Sequence, residues 1–331
     1  MNPPLARSIL DTIGRTPLVE LSHCASGRGL RGRLLAKLET TNPGGSKKDR
    51  IALEILRESR ADGSLRPGQP VVELTSGNTG AGLAIVCRAM GHPFVAVISR
   101  GNSTERVRQI RAFGAEVVIV DQAPGSAPGQ VSGADLDLVE AEAARLVADR
   151  GAFRVDQFLH PANVQAHERR TGPEIAEQSG GQVDVFLDFP GTGGSFTGIT
   201  RALRRINPAL RAYVVEPTGA AALSGEPVRK PGHKIQGGGY SRTGNRIPLF
   251  DPKLVTGYVS VTDDEAIAAA RFLAAEEGIL GGFSTGAHLA AAWALLSGPE
   301  AGATVAFLVC DTGLKYLSTD LYSPGTSAST P

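Results

Sequence analysis

Residues 71–121 read VVELTSGNTGAGLAIVCRAMGHPFVAVISRGNSTERVRQIRAFGAEVVIVD, and the fold class follows from their pattern. Three short, β-branched runs (71–74, 94–99 and 116–121) alternate with two helix-patterned stretches (79–91 and 104–114). The strands are continuously apolar instead of alternating, as in a parallel sheet covered on both faces. The same alternation returns at 183–189, 193–206, 212–217, 263–278, 285–296 and 303–310. Asp263 and Asp264 fall at a helix start and Gly278 at its end, in keeping with capping preferences. The pattern predicts two α/β domains: a smaller, mobile one over 40–150, and a larger one built from 151–322 with residues 1–39. No repeat of fixed period is visible. The stretch 123–133, APGSAPGQVSG, reads as a mobile loop, and the polar residues 323–331 as a disordered tail.

The chain has 331 residues, 41% hydrophobic and 20% charged, which suffices for a substantial interior. Lys+Arg 34 against Asp+Glu 33 leaves a net charge of +1, which gives no reason to expect nucleic acid or an anionic membrane as partner. Three scattered cysteines, Cys24, Cys87 and Cys310, form no CxxC and no even set. They read as small buried side chains in a reducing compartment, with neither disulfide nor metal site. No signal-peptide core or membrane-length apolar run occurs, so a soluble, cytoplasmic protein is expected.

The 41 glycines are bunched at 43–46, 76–82, 191–198 and 237–244, which suggests backbone brought close to a ligand. LTSGNTG (74–80) lies between a strand and a helix, where free amides and hydroxyls suit a carboxylate or phosphate. Ser76 or Asn78 serving only as a helix cap explains it equally well. PGTGGSFTG (190–198) has the same setting. Phe196 stands where the dinucleotide fingerprint needs its third glycine, and no Gly-Lys-Ser/Thr follows, so neither that motif nor a P-loop is present. Its amides, with the Thr192 and Ser195 hydroxyls, could cradle one phosphate; close strand-to-helix packing would need the same glycines. TNPGGSKKDR (41–50) adds two lysines after a third glycine turn. Two anion-type turns and a lysine match the needs of pyridoxal phosphate, whose aldehyde takes an amine and whose phosphate needs an anchor.

NPGGSKKDR, TSGNTG, GTGGS, HKIQGGG (233–239), GFSTGA (282–287) and CDTGLKYLSTD (310–320) stand in the order found in the cysteine synthase family. By these motifs, and by segments such as IGRTPLVEL (13–21), the chain resembles that family over residues 8–322. The family groups with cystathionine β-synthase among the fold-type II pyridoxal-phosphate enzymes. The resemblance implies two three-layer α/β domains of the tryptophan synthase β type, with the active site in the cleft between them. It also implies pyridoxal 5′-phosphate as cofactor.

Within the family's S-x-K-D-R pattern, Ser46, Lys48, Asp49 and Arg50 match. Lys48 is then the Schiff-base lysine, and Lys47, in the variable position, a solvated charge. By the same resemblance Asn78 reaches the ring 3′-oxygen. Thr75, Ser76, Asn78, Thr79 and Gln157 hold the substrate carboxylate, and Gly191, Thr192, Gly193, Gly194 and Ser195 the phosphate. Thr312 sets a hydroxyl against the pyridine nitrogen, although a helix cap there would need the same residue, and Asp311 could cap equally well.

The implied reaction is β-replacement on an O-activated L-serine through an aminoacrylate, with Lys48 as base. Its leading form converts O-acetyl-L-serine and sulfide to L-cysteine and acetate. A sibling enzyme using O-phosphoserine or serine and another nucleophile (a diaminopropionate-type, cystathionine or cyanoalanine synthase) is the alternative. A partner-binding regulatory homologue is the alternative from another class, against which the intact Lys48 and both anion turns count. The family also implies a homodimer and a peptide-tail partner that enters the active site. Departures from its pattern are His160 before Pro161-Ala162-Asn163, Leu314-Lys315 in the last motif, and the 237–251 loop with Arg242 and Arg246. Those arginines read as solvated, or as receivers of an anionic leaving group or co-substrate.

Overall fold

The computed structural model describes residues 5–75, 77–126, 131–230, 232–238 and 247–323. Ser76, Arg242, Arg246 and the tail from 324 onward lie outside the described residues. Among the described residues the strands, in chain order, are β1 (Leu18–Glu20), β2 (Arg33–Leu38), β3 (Val71–Leu74), β4 (Phe94–Ser99), β5 (Glu116–Val120), β6 (Phe153–Arg154), β7 (Val185–Asp188), β8 (Arg211–Pro217), β9 (Gly257–Val261) and β10 (Thr304–Val309). The helices are α1 (Ser22–Ser26), α2 (Lys48–Ala61), α3 (Asn78–Met90), α4 (Thr104–Ala112), α5 (Gly133–Arg150), α6 (Ala162–Ala166), α7 (Gly172–Gln178), α8 (Gly194–Ile206), α9 (Asp263–Glu277) and α10 (Phe283–Leu296).

The chain divides into two units. The first, residues 1–15 with 42–166, holds a four-stranded sheet in the order β5-β4-β3-β6, parallel throughout. Alternate residues of these strands feed two cores. Val71, Ala96 and Ile98 pack with Ile51, Ile55, Leu83 and Val86 of α2 and α3 on one face. Val72, Leu74, Val95 and Val97 meet Val139, Ala143 and Leu146 of α5 on the other. Burial on both faces accounts for the unbroken apolar runs.

The second unit, residues 16–41 with 167–331, is built on a six-stranded sheet in the order β1-β2-β10-β7-β8-β9. Only β1 runs antiparallel to its neighbour. It too has a core on each face. Val185, Leu187, Val305 and Phe307 pack with α9 and α10, while Phe186, Val214, Ala306 and Leu308 pack with α7 and α8. Each unit is therefore a three-layer α/β body, as the resemblance implies.

The boundary expected near residue 150 falls at 166, because the two-residue β6 pairs with β3 and carries the chain through α6 inside the first unit. Residues 5–15 also differ from expectation. Ile13 enters the first unit's core, and the Gly14 N–H donates to Asn42 Oδ1 at 2.8 Å. Residues 16–41 join the second unit, since β2 pairs in register with β10.

Candidate active site

In the first unit Lys48 opens α2, and side chains on both flanks hold the turn before it. Asn42 Nδ2 donates to the Ser46 carbonyl at 3.2 Å, and Asp49 Oδ2 accepts the Gly44 N–H at 2.5 Å. A Cβ on Gly44 would lie 2.4 Å from Asp49 Oδ1, and one on Gly82 of α3 would lie 3.1 Å from the Asp49 Cα. The first turns of α2 and α3 thus meet across a bare glycine. Lys48 Nζ donates to Gln157 Oε1 at 3.1 Å, and the Thr79 hydroxyl donates to the same oxygen at 2.7 Å. Gln157 is buried and fixed at both ends. Its Nε2 donates to the Leu74 carbonyl (3.3 Å), and its own carbonyl accepts Asn163 Nδ2 (2.7 Å). Lys47 is partly buried, as Lys48 is, so it is not the fully solvated charge expected. Burial does not separate the two lysines; the reach of Lys48 to Gln157 does.

The 75–80 turn leaves the C-terminal end of β3, beside the end of β6 that leads to Gln157. Its organiser is Thr75, whose Oγ1 accepts the N–H groups of Gly77 (3.1 Å) and Gly80 (2.8 Å). The cap comes from Thr75, two residues before the N-cap position Gly77, and not from Asn78, which is itself the first helical residue. Gly77 has φ +135°, a conformation that excludes other residue types in practice. Behind the turn lies the buried carboxyl of Glu73, whose Oε2 accepts the Asp156 N–H at 2.8 Å. Burial raises its pKa to about 7, and the Arg154 guanidinium, 3.4 Å away, only partly offsets this. His160 Nδ1 accepts the Ala162 N–H at 3.2 Å at the start of α6, and burial pulls its pKa below the usual value. Both observations fit a structural histidine.

In the second unit the 190–195 loop leaves the C-terminal end of β7, and Thr312 follows the end of the neighbouring parallel strand β10. Ligands of open α/β sheets bind at this edge. A Cβ on Gly191 would lie 2.3 Å from the Gly237 carbonyl oxygen. Gly193 has φ +86°, and its Cβ would lie 2.6 Å from the Phe250 N. Gly194 begins α8, a helix of 13 residues, so the loop ends on the positive end of a helix dipole. The Ser195 hydroxyl is turned to the buried Asp188, donating its proton to Oδ2. It is not the proton donor into the loop that the sequence suggested. Thr312 Oγ1 accepts the Leu314 N–H at 3.3 Å and caps the short 3₁₀ turn Gly313–Tyr316. A hydroxyl that accepts can still donate its own proton. Asp311, the other candidate cap, instead accepts the Tyr316 hydroxyl at 2.6 Å.

These residues fit a phosphate-bearing aldehyde cofactor. The loop is a cradle in which added Cβ atoms at Gly191 and Gly193 would strike backbone, leaving amides as its donors. Lys48 supplies an amine at a helix start, beside a buried amide and hydroxyl. Asp49 was matched by motif but given no role, and Asn42, which with it sets the lysine turn, and Asp188 and His288 behind the glycine loop were not singled out. The G-G-S-K-K-D spacing could have given Asp49 its turn-holding role; no local signal marks the other three.

Comparison with known proteins bears on this arrangement. Residues 9–311 match the model of a family described as pyridoxal-phosphate dependent enzyme. The chain is 40% identical over 317 residues to cysteine synthase 3 of Caenorhabditis elegans, covering 95% of this chain and 89% of that protein. It is 39% identical over 322 residues to O-ureido-L-serine synthase of Streptomyces lavendulae, covering 96% and 93%. A crystal structure of O-ureido-L-serine synthase superposes with a TM-score of 0.86 at 37% identity, covering 98% of each chain.

Proposed function

We propose that the chain, which belongs to the pyridoxal-phosphate dependent enzyme family, replaces the β-substituent of an O-activated L-serine. In the leading form it makes L-cysteine and acetate from O-acetyl-L-serine and sulfide, the likeness to cysteine synthases supporting this choice. The observation that carries the reading is the Lys48 amine poised 3.1 Å from Gln157 Oε1, which Thr79 also engages. When bound, the cofactor supplies a covalent hold on the substrate amino group and an electron sink for Cα.

The rest falls to the chain. Thr75, Ser76, Asn78, Thr79 and Gln157 hold the substrate carboxylate, and Asn78 also reaches the cofactor's ring oxygen. The amides of Gly191, Thr192, Gly193, Gly194 and Ser195 hold the phosphate. The Lys48 amine takes the Cα proton as the β-substituent leaves. Thr312 offers a neutral hydroxyl to the ring nitrogen, which suits rapid elimination over a long-lived carbanion.

A second reading has a specific support, the comparable likeness to O-ureido-L-serine synthase over nearly the whole chain. There the nucleophile adding at Cβ would be an oxygen bearing a ureido group instead of sulfide. The proposal includes a homodimer with one site per subunit, a cytoplasmic location, and a peptide tail as a possible occupant of the site. Among the described residues no helix is long and apolar enough to cross a membrane.

The test is a panel of donors (O-acetylserine, O-phosphoserine, serine) against nucleophiles (sulfide, hydroxyurea, homocysteine), read by acetate or phosphate release and by product mass. Acetate release with cysteine formation is expected. Turnover of O-phosphoserine alone would overturn the donor, and an O-ureido product without cysteine would establish the second reading.

A further inference from the structure

Behind the glycine loop lies a set of groups that the proposed reaction leaves unused. Asp188, the last residue of β7, is fully buried, and its Oδ1 faces Nε2 of the equally buried His288 at 3.4 Å. The Ser195 hydroxyl donates to its other oxygen. His288 Nδ1 bonds the Leu308 carbonyl at 2.8 Å, and the Phe189 N–H points at Nε2 from 2.7 Å. Cys310 completes the cluster, the three donor atoms lying within 4.8 Å of one another. Backbone groups crowd both imidazole nitrogens, so no open direction is left for a metal ion.

The electrostatics of this position are demanding. An ionised Asp188 would place a full negative charge in a dry interior behind a loop of amides suited to an anion, where the two charges repel strongly. If His288 Nε2 carried no proton either, the anion would also face a lone pair across the 3.4 Å gap. A single proton between Oδ1 and Nε2 removes both difficulties. The Phe189 N–H, aimed at Nε2, favours the carboxyl side for it.

Resting on the reading of 191–195 as the cofactor-phosphate loop, we propose that Asp188 and His288 share one proton. They form a neutral floor that lets the loop accept a phosphate dianion. Cys310, from the end of β10, is the other titratable group facing the pair among the described residues. α8 contributes the Ser195 hydroxyl, and the sheet contributes the backbone at Phe189 and Leu308. Burial opposes a charged His288, yet Cys310 and Asp188 outweigh it and raise the pKa to about 9; the two groups titrate as one, so this value belongs to the pair, which keeps its proton at neutral pH whichever side holds it. In alkaline solution the pair turns anionic, and a phosphate-bearing ligand must either bind more weakly or restore the proton.

Two ligands isolate this effect without involving the Lys48 bond: pyridoxamine 5′-phosphate and pyridoxamine, titrated into the full-length apoprotein. The affinity of wild type for the phosphate ester should fall about tenfold from pH 8 to pH 10, with no matching fall for pyridoxamine. Asp188→Asn should abolish the fall. His288→Gln, which strands the carboxylate, should bind the ester more weakly from pH 8 upward. Calorimetry of wild type at pH 9.5, in two buffers of different ionisation enthalpy, needs no variant. The ester should take up a measurable fraction of a proton beyond that taken up by pyridoxamine. The phosphate itself contributes none there, since its second pKa is about 6. Equal proton uptake for the two ligands, or identical pH profiles in wild type and Asp188→Asn, would overturn the proposal. No preference of wild type for the ester over pyridoxamine at pH 8 would instead remove the phosphate-loop reading on which it rests.

Discussion

The 75–80 turn and the 190–195 loop are both glycine-rich passages from a parallel strand into a helix, yet they are organised by opposite means. In the first a side chain does the organising, because Thr75 Oγ1 gathers two amides of the following turn. In the second the organising element is the lack of side chains, since Gly191 and Gly193 press against backbone with no room for a Cβ. Each passage has a buried carboxyl at the strand end behind it. Glu73 is opposed by the Arg154 guanidinium 3.4 Å away, and Asp188 by an imidazole buried as deeply as itself. Similar sequence punctuation therefore yields one turn that displays side-chain chemistry and one that displays backbone amides. The two should respond differently to substitution.

The largest effect is expected at Lys48. Lys48→Ala should lower kcat about 10³-fold or more in the cysteine-forming assay and abolish borohydride trapping of the cofactor on this peptide. Lys47→Ala should leave kcat within a few-fold; equal losses from both would break the separation of the two lysines. Next comes the backbone-built loop. Gly193→Ala forces a left-handed residue against Phe250 and should cost about 1–3 kcal/mol of stability. It should also weaken cofactor binding at least about tenfold, measured by fluorescence titration of the apoprotein. Cofactor affinity unchanged in a folded Gly193→Ala protein would refute the amide-cradle picture.

At the side-chain-built turn the effect should be smaller and chemically graded. Thr75→Val, which keeps shape but loses the acceptor, should cost about 1–2 kcal/mol in urea unfolding and raise KM for the amino-acid donor. Thr75→Ser should recover most of both. If Val and Ser behaved alike, the hydroxyl would not be the organiser. The smallest effect concerns Glu73, whose pKa rises to about 7 on folding from a usual value of 4.5. The native state then binds more protons, so this contribution is complete below pH 4.5 and is lost as pH rises through about 7. Between pH 6.5 and 7.5 the loss should be under about 1 kcal/mol, and Glu73→Gln should flatten the slope. A steeper slope in the variant would reverse the assignment.

Much of the fold was legible because both sheets bury both faces, so that strands such as β4 and β10 appear as unbroken apolar runs. The domain boundary was not, because β6 is two residues long and its place is set by pairing with β3, far away in the chain. The helix start at residue 78 was legible from TSGNTG, but its cap came from Thr75, two residues before the N-cap position at Gly77. Within the site, Lys48 was distinguished from Lys47 by the S-x-K-D-R spacing of the family it resembles, since burial treats them alike. The pairing of Asp188 with His288 joins positions from β7 and α10, and no local pattern could have announced it.

The contact at Gly82 has a consequence for the reacting geometry. The helix that begins at Lys48 and the helix that begins at Asn78 meet there, with only the hydrogen of Gly82 facing Asp49. On the proposed reading, that contact sets the distance from the amine that moves the proton to the turn that grips the carboxylate. Every α-amino acid shares that spacing, so a larger residue at position 82, pressing on Asp49, should impair all donors alike instead of changing which one is preferred.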